Sequence, residues 1–335
     1  MDKHGRRHRS RDRRRESPAH RDRSRRLPSR PSRVPNRACS APGWQRPEQR
    51  NLMSILEVPG ARLYYETLGS GPLMIMIPGA NGVADSFRMV TEHLAAHYTV
   101  VIYDRRGFSR SRLDGPQDHD RRLETDADDV RRLVEQVADE PATVFGASSG
   151  GIVALAVLTR HPSVVRTLVP FEPPAVRQLS DGQRWLDIFA GLYDLYRQSG
   201  IEPALQAFRE QAFAESDRQT MARAPKNEAN ATYWFEHELR QYPAVDLDLG
   251  ALAAHAERIV LMAGQESHGC PAYEVGVKLG QKLGRDVIDL PGGHVGFVSQ
   301  PAEFAGEFVR ALARAGHLFT SSALDHGDVP QGRFD

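Results

Sequence analysis

Residues 141–158 read PATVFGASSGGIVALAVL, and this stretch predicts a strand, a tight turn and a helix in direct succession. Residues 142–145 are β-branched and aromatic at their centre, which is typical of a buried strand. Residues 152–158 are apolar on nearly every side, which is typical of a buried helix. This is the setting that a G-x-S-x-G motif requires when it carries a nucleophile.

In the turn between strand and helix, Gly146 and Gly150 flank Ser148 at the G-x-S-x-G spacing. A strand and a helix nearly collide at such a turn and the serine adopts strained backbone angles, so its neighbours must lack side chains. We therefore predict Ser148 as a catalytic nucleophile. The alternative is a Gly/Ser-rich turn that only packs a helix on a sheet. A phosphate-binding turn is disfavoured because the lysine of a P-loop is missing.

The composition is typical of a soluble protein, with 40% hydrophobic residues and a net charge of +1 over 335 residues. This length suits one large α/β domain or two small ones. The two cysteines, Cys39 and Cys270, give no disulfide framework. No apolar run reaches the roughly 18 residues of a membrane span, and no apolar segment follows the N-terminal arginines as in a signal peptide. These features predict a cytoplasmic protein without a membrane partner.

The charge changes sharply along the chain. Residues 1–52 carry 17 Lys and Arg against 5 Asp and Glu, whereas the remainder is mildly acidic. This Arg-rich tail has almost nothing to bury, so we predict that it is disordered. It is either an arm that contacts nucleic-acid phosphates or an upstream extension of a protein that starts at Met53. Only composition supports the arm, so we favour the extension and expect nucleic acid as a partner only through this tail.

Strands alternate with helices over residues 53–174 and 255–315, which predicts an α/β fold with a doubly wound, mostly parallel sheet. Residues 175–254 contain helical patterns without a strand pattern, and their aromatic residues recur at the spacing typical of a packed helix face. Because this stretch lies between two strands of one sheet, we expect an inserted helical lid over the carboxyl ends of the strands. We expect residues 316–335 to form a flexible tail.

Four features, the Ser148 turn among them, occur in a specific order along the chain. They are Pro78-Gly79 after the third predicted strand, DRRGFSRS at residues 104–111 after the fourth, the Ser148 turn, and Gly293-His294 before the last helix. With these motifs, residues 53–315 resemble the α/β-hydrolase fold superfamily, in its lid-bearing branch of esterases, lactonases, dehalogenases and related enzymes. Haloalkane dehalogenases and epoxide hydrolases have aspartate where this chain has Ser148, which excludes those two relatives.

The resemblance implies roles for four residues. Ser148 matches the nucleophile, and His294 matches the base, whose imidazole titrates near neutrality and can take up and return a proton. The backbone N–H groups of Ala80 and Ser149 match an oxyanion hole. The family often has His-Gly where this chain has Pro-Gly before Ala80, so a side chain that often braces this loop is missing here.

The acidic partner of the base is where the chain departs most from the family. The family usually has aspartate at the position of Ser267, and serine cannot compensate an imidazolium charge. Glu266 is one residue away, and Glu172 ends the predicted strand that precedes the insertion. Some lid-bearing branches take their acid from that strand, so we prefer Glu172 and keep Glu266 as the alternative. Asp104 and Arg106 are expected to brace the neighbouring loop.

The resemblance implies a serine hydrolase that cleaves a small apolar carboxylic ester or lactone through an acyl-enzyme, with Ser148, His294 and Glu172 as the triad. This mechanism requires no metal and no organic cofactor. C–C bond hydrolysis and cofactor-free perhydrolysis use the same triad and remain alternatives. A non-catalytic binding protein that kept the fold is a further alternative, supported by the missing acid after Gly264. The substrate and the oligomeric state stay open.

Overall fold

The computed structural model describes residues 52–317. The predicted disorder of residues 1–52 falls outside this part of the chain, apart from residue 52, and so does the predicted flexibility of residues 318–335. Within the described part, a central sheet is covered by helices on both faces. The doubly wound α/β fold predicted from the sequence is therefore confirmed.

The sheet of the described chain has nine strands. They are β1 (Leu52–Val58), β2 (Ala61–Gly69), β3 (Leu73–Ile77), β4 (Thr99–Tyr103), β5 (Arg112–Leu113), β6 (Ala142–Ala147), β7 (Val165–Phe171), β8 (Leu261–Gly264) and β9 (Val287–Leu290). Their order is β1-β2-β4-β3-β6-β7-β8-β9, and β5 pairs with β2. The β1–β2 and β2–β4 pairs are antiparallel, whereas every pair from β4 to β9 is parallel.

Eleven α-helices surround this sheet within residues 52–317. They are α1 (Arg88–Leu94), α2 (Arg122–Val137), α3 (Ser149–Arg160), α4 (Gly182–Ser199), α5 (Ile201–Ala212), α6 (Glu215–Ala222), α7 (Glu228–His237), α8 (Leu249–Ala253), α9 (Pro271–Leu283), α10 (Gly296–Ser299) and α11 (Pro301–Arg314). Helices α2, α3 and α9 pack on one face of the sheet, and α1 and α11 pack on the other.

The alternation of side chains along β3 explains why both faces of the sheet are apolar. Ile75 and Ile77 enter the core beneath α2 and α3, whereas Met74 and Met76 enter the core beneath α1 and α11. Successive side chains of a strand point to opposite faces, so a strand covered on both sides must be apolar at every position. The continuous apolar run LMIMI of β3 meets this requirement.

The stretch between β7 and β8 contains helices α4 to α8 and no strand. We call residues 175–254 the helical insertion. Its aromatic side chains form a third apolar cluster around Phe189, Trp234 and Phe235, and Phe108 from the loop after β4 joins this cluster. The insertion therefore packs on the same edge of the sheet at which the parallel strands end.

A buried ion-pair network also joins the helical insertion to the sheet. Glu238, directly after α7, accepts hydrogen bonds from Arg105 at 2.6 Å and from Nε of Arg122 at 2.9 Å. Arg105 pairs further with Asp126 at 3.0 Å. All four side chains are buried, and their two positive and two negative charges balance. A buried charge is tolerated when it is paired and hydrogen-bonded in this way.

Asn230 of α7 makes a second buried polar contact with the core. Its amide nitrogen donates to the backbone oxygen of Asn81 at 3.0 Å and to Oγ of Ser109 at 2.9 Å. Its amide oxygen accepts the backbone N–H of Ser109 at 3.0 Å. Ser109 has a positive φ of 45°, so these bonds hold a strained residue in place.

We expect Glu238→Gln to lower the free energy of unfolding by about 3–5 kcal/mol, because Arg105 and Arg122 would stay buried with too little negative charge. Urea unfolding measures this loss. Glu228→Gln is the matched control, since Glu228 lies exposed in the first turn of α7 and should matter by less than about 1 kcal/mol. Equal effects of the two substitutions would contradict the role of the network.

Candidate active site

Four residues singled out in the sequence follow the carboxyl ends of parallel strands. Ala80 follows β3, Ser148 follows β6, Glu172 follows β7 and His294 follows β9. The carboxyl ends of parallel strands meet at one edge of a sheet, which is where ligands bind in open α/β folds. The topology thus brings together residues that are up to 214 positions apart in the chain.

The backbone of Ser148 is strained, as the motif predicts. Its φ of 55° and ψ of −123° lie outside the common regions for a residue with a side chain. Its N–H donates to the backbone oxygen of Phe171 at 2.9 Å, which ties the turn to the end of β7. Such strain persists only where the surrounding structure holds it, and it is typical of functional sites.

The two glycines of the motif are required by close backbone contacts. A Cβ atom on Gly146 would lie 2.1 Å from the backbone oxygen of Gly150. A Cβ atom on Gly150 would lie 2.2 Å from the backbone oxygen of Ile77. These distances are far below van der Waals contact, so β3, β6 and α3 can approach this closely only where the side chains are absent.

Glu172 and His294 are in direct contact. Oε2 of Glu172 lies 2.6 Å from Nδ1 of His294, and Oε1 accepts the N–H of Gly264 at 2.7 Å. Because an ionised carboxylate only accepts hydrogen bonds, Nδ1 carries a proton and Nε2 is left as the basic nitrogen. Glu172 itself has a positive φ of 45°, so both it and Ser148 are held at a positive φ, which is uncommon for residues other than glycine.

The alternative acid, Glu266, does not contact His294. Its side chain is exposed, and Oε1 accepts a hydrogen bond from Gln300 at 3.3 Å. Ser267 is fully buried, and its hydroxyl has no hydrogen-bond partner among the described residues. The only carboxylate that the described chain brings to the ring nitrogens of His294 is therefore that of Glu172.

Opposing effects act on the pKa of His294. Burial by itself lowers this pKa, because it disfavours the charged ring. The hydrogen bond that His294 donates to Glu172 and the negative charge of Glu172 act in the other direction, and the charge of Asp217 adds to them. The net result is a pKa above the ordinary value of histidine.

Asp217 contributes a contact that the sequence did not reveal. It lies in α6 of the helical insertion and is buried, and its carboxylate oxygens accept the backbone N–H groups of His294 and Val295, both at 2.9 Å. An aspartate in the first turn of a short helix is usually a solvated residue that favours the helix terminus. No local pattern signals a bond to a loop 77 residues further along the chain.

The loop after β3 is held by Arg105 from the next loop. The guanidinium of Arg105 donates to the backbone oxygen of Gly79 at 3.0 Å, and the backbone N–H of Arg105 donates to the backbone oxygen of Gly82 at 2.8 Å. Arg105, from the loop after β4, therefore holds the loop after β3, which has Pro-Gly in place of His-Gly. Asp104 accepts the backbone N–H of Ala84, just after this loop, at 2.8 Å, as expected of a bracing residue. Arg106 instead donates to Asp129 of α2 at 2.7 Å.

One cavity is lined by Ser148, His294, Ala80 and Ser149 together. The other lining residues are apolar, and the aromatic ones come from the helical insertion: Phe189, Phe208, Phe213 and Trp234. The cavity is narrow, with a volume of about 30 Å³ accessible to water.

No hydrogen bond joins the Ser148 hydroxyl directly to the His294 ring in the described chain. Catalytic hydrogen bonds are often long before a substrate binds, so this geometry is compatible with a nucleophile and its base.

None of the helices in residues 52–317 combines the length and the apolar character that a membrane crossing requires. In those residues no three His, Cys, Asp or Glu side chains are grouped as metal ligands.

A comparison with known proteins identifies the family. The sequence model of the α/β hydrolase fold matches residues 72–301. The uncharacterized hydrolase YraK of Bacillus subtilis is 35% identical over 255 residues, which cover 75% of this chain and 92% of that protein. The chain therefore belongs to the α/β-hydrolase fold family, as the order of its motifs predicted.

Solved structures share this fold at low sequence identity. The enol-lactonase from Burkholderia xenovorans LB400 is 17% identical with a TM-score of 0.60, and the match covers 78% of this chain and 100% of that one. A thermophilic esterase from Thermogutta terrifontis is 18% identical with a TM-score of 0.59, and the match covers 79% of this chain and 99% of that one. At these identities the likeness concerns the fold alone.

We expect Glu172→Gln to lower the pKa of His294, because it removes the adjacent negative charge and leaves burial in place. An NMR titration of the His294 ring in both proteins measures the shift. Glu266→Gln is the control, and it should leave this pKa unchanged because Glu266 faces solvent. An unchanged pKa in Glu172→Gln, or a fall in the control, would contradict the assignment.

Proposed function

We propose that this protein is a serine hydrolase that cleaves a carboxylic ester or lactone through an acyl-enzyme. The observation that carries the proposal is the 2.6 Å contact between Glu172 and Nδ1 of His294, in a cavity that Ser148 also lines. This contact leaves Nε2 free to act as a base, and a serine hydroxyl needs such a base at neutral pH. The names of the esterase and the enol-lactonase with the same fold agree with this reaction class.

In the first half of the reaction, Oγ of Ser148 attacks the carbonyl carbon of the substrate and its proton passes to Nε2 of His294. The carboxylate of Glu172 stabilises the resulting imidazolium. The N–H groups of Ala80 and Ser149 receive the oxyanion, and Ser149 is suited to this because it is the first residue of α3. The bond to the leaving oxygen then breaks, and that oxygen takes the proton from His294.

In the second half, water attacks the acyl-enzyme and gives a proton to His294. The bond between the acyl carbon and Oγ of Ser148 breaks, the proton returns to Oγ, and the carboxylic acid leaves. In a lactone the leaving oxygen stays attached to the acyl group, so the product is a single hydroxy acid. Every proton is carried by His294, and the chemistry needs no further group.

The substrate that we propose is small and apolar. Apart from Ser148, Ser149 and His294, the cavity lining is apolar, and no Lys or Arg among residues 52–317 lines it to bind an anionic substrate. We propose that residues 53–174 and 255–315 form the hydrolase core and that the helical insertion is its lid. Support for the lid comes from Phe189, Phe208 and Trp234, which line the cavity from that insertion.

A non-catalytic binding protein is the alternative suggested by the missing aspartate after Gly264, and the contact between Glu172 and His294 argues against it. A fluorophosphonate probe separates the two functions, because it reacts only with an activated serine. We expect the wild-type protein to be labelled on Ser148 and the Ser148→Ala variant to remain unlabelled, as judged by intact mass and peptide mapping. Absence of labelling in the folded wild-type protein would contradict the proposed function.

We expect Ser148→Ala and His294→Ala each to lower kcat for aryl-ester hydrolysis by about 10⁴-fold or more while the protein stays folded. The two residues act as one unit, so the double variant should be little worse than either single variant. Steady-state kinetics and circular dichroism measure these effects. Retained activity in Ser148→Ala together with its loss in Ser149→Ala would show that the nucleophile is the next residue.

The two candidate acids are distinguished by a matched pair of substitutions. We expect Glu172→Gln to lower kcat by about 10⁴-fold with little change in KM, because the tautomer and the charge that support His294 are lost. Glu266→Gln should lower kcat by about tenfold or less, which corresponds to about 1.4 kcal/mol. Full activity in Glu172→Gln would overturn the proposed triad.

A further inference from the structure

The carboxylate of Asp217 and the loop that carries His294 fit each other closely. Two consecutive N–H groups, those of His294 and Val295, donate to the two oxygens of Asp217 at 2.9 Å each. Asp217 is only 2% exposed. Within the described chain, both hydrogen bonds of its side chain go to this loop, so its charge is compensated by the backbone that positions His294.

Gly293 makes this approach possible. A Cβ atom on Gly293 would lie 2.3 Å from Oδ2 of Asp217, so a side chain at that position would displace the carboxylate. Phe213, four residues before Asp217, packs against the imidazole with 4.7 Å between ring centroids. Residues 213–217 of the helical insertion therefore contact both the backbone and the ring of His294.

We propose that Asp217 is a positioning residue, which holds the His294 loop so that the imidazole faces Ser148 and whose negative charge helps Glu172 to stabilise the imidazolium. This inference rests on the proposed hydrolase function. The charge of Asp217 acts on the pKa of His294 in the same direction as that of Glu172. The helical insertion would then supply a residue that positions the catalytic base, in addition to the side chains that line the cavity.

The test is Asp217→Asn, which keeps the shape of the side chain and removes its charge. The asparagine oxygen can accept one N–H, but its NH₂ group faces the second N–H, so one of the two bonds is lost. We expect kcat for an aryl ester to fall about 10- to 100-fold with little change in KM, because the base is misplaced. We also expect the acid limb of the kcat/KM profile to move to lower pH, because the pKa of His294 falls.

Two further variants separate charge, position and folding. Asp217→Glu keeps the charge and lengthens the side chain, so kcat should fall while the acid limb stays in place. Glu215→Gln changes an exposed carboxylate on the same helix and should leave both kcat and the pH profile unchanged. Thermal unfolding of each variant shows whether it is folded at the temperature of the assay.

An NMR titration of His294 and the rate of fluorophosphonate labelling give readouts that need no substrate. If the wild-type protein is not labelled, the proposed function fails. If the wild-type protein is labelled and Asp217→Asn shows the same labelling rate and the same pKa of His294, only the positioning role fails. Loss of the folded state in both Asp217→Asn and Asp217→Glu would show a role in stability and would overturn the proposal.

Discussion

Glu172 lies at the end of β7, where its carboxylate holds two loops that are distant in the chain. One oxygen accepts the N–H of Gly264, the last residue of β8, and the other contacts Nδ1 of His294 after β9. A carboxylate that is 1% exposed must be satisfied at both oxygens, because it has no water to compensate its charge. The ends of three neighbouring strands are thereby fixed relative to one another, and the direction of the imidazole follows from this arrangement.

The helical insertion is tied to the rest of the α/β fold by buried polar contacts of the same kind. Glu238 pairs with Arg105 and Arg122, Asn230 binds the loop after β3, and Asp217 binds the His294 loop. Lifting the whole insertion would separate these groups inside the protein, and each unpaired charge would cost several kcal/mol. Movement of the aromatic side chains that line the cavity needs no such separation.

The sequence was informative where a local rule applies. The turn at Ser148 could be predicted because only glycine fits at positions 146 and 150, and Glu172 could be preferred because it ends a strand beside that turn. Asp217 and Glu238 could not be predicted, since an acidic residue in or after a helix usually faces water and only tertiary packing buries these two. The two-residue strand β5 was also missed, because it is defined by pairing with β2 and has no pattern of its own.

The proposal that Ser148, His294 and Glu172 form one catalytic unit is tested most directly by a crystal structure of the protein after reaction with an aryl phosphonate. We predict a covalent bond to Oγ of Ser148, with the phosphoryl oxygen about 2.7–3.1 Å from the N–H groups of Ala80 and Ser149. His294 should keep its contact with Glu172 and direct Nε2 towards the adduct. A phosphoryl oxygen that points away from both N–H groups, or an adduct on another residue, would contradict the account.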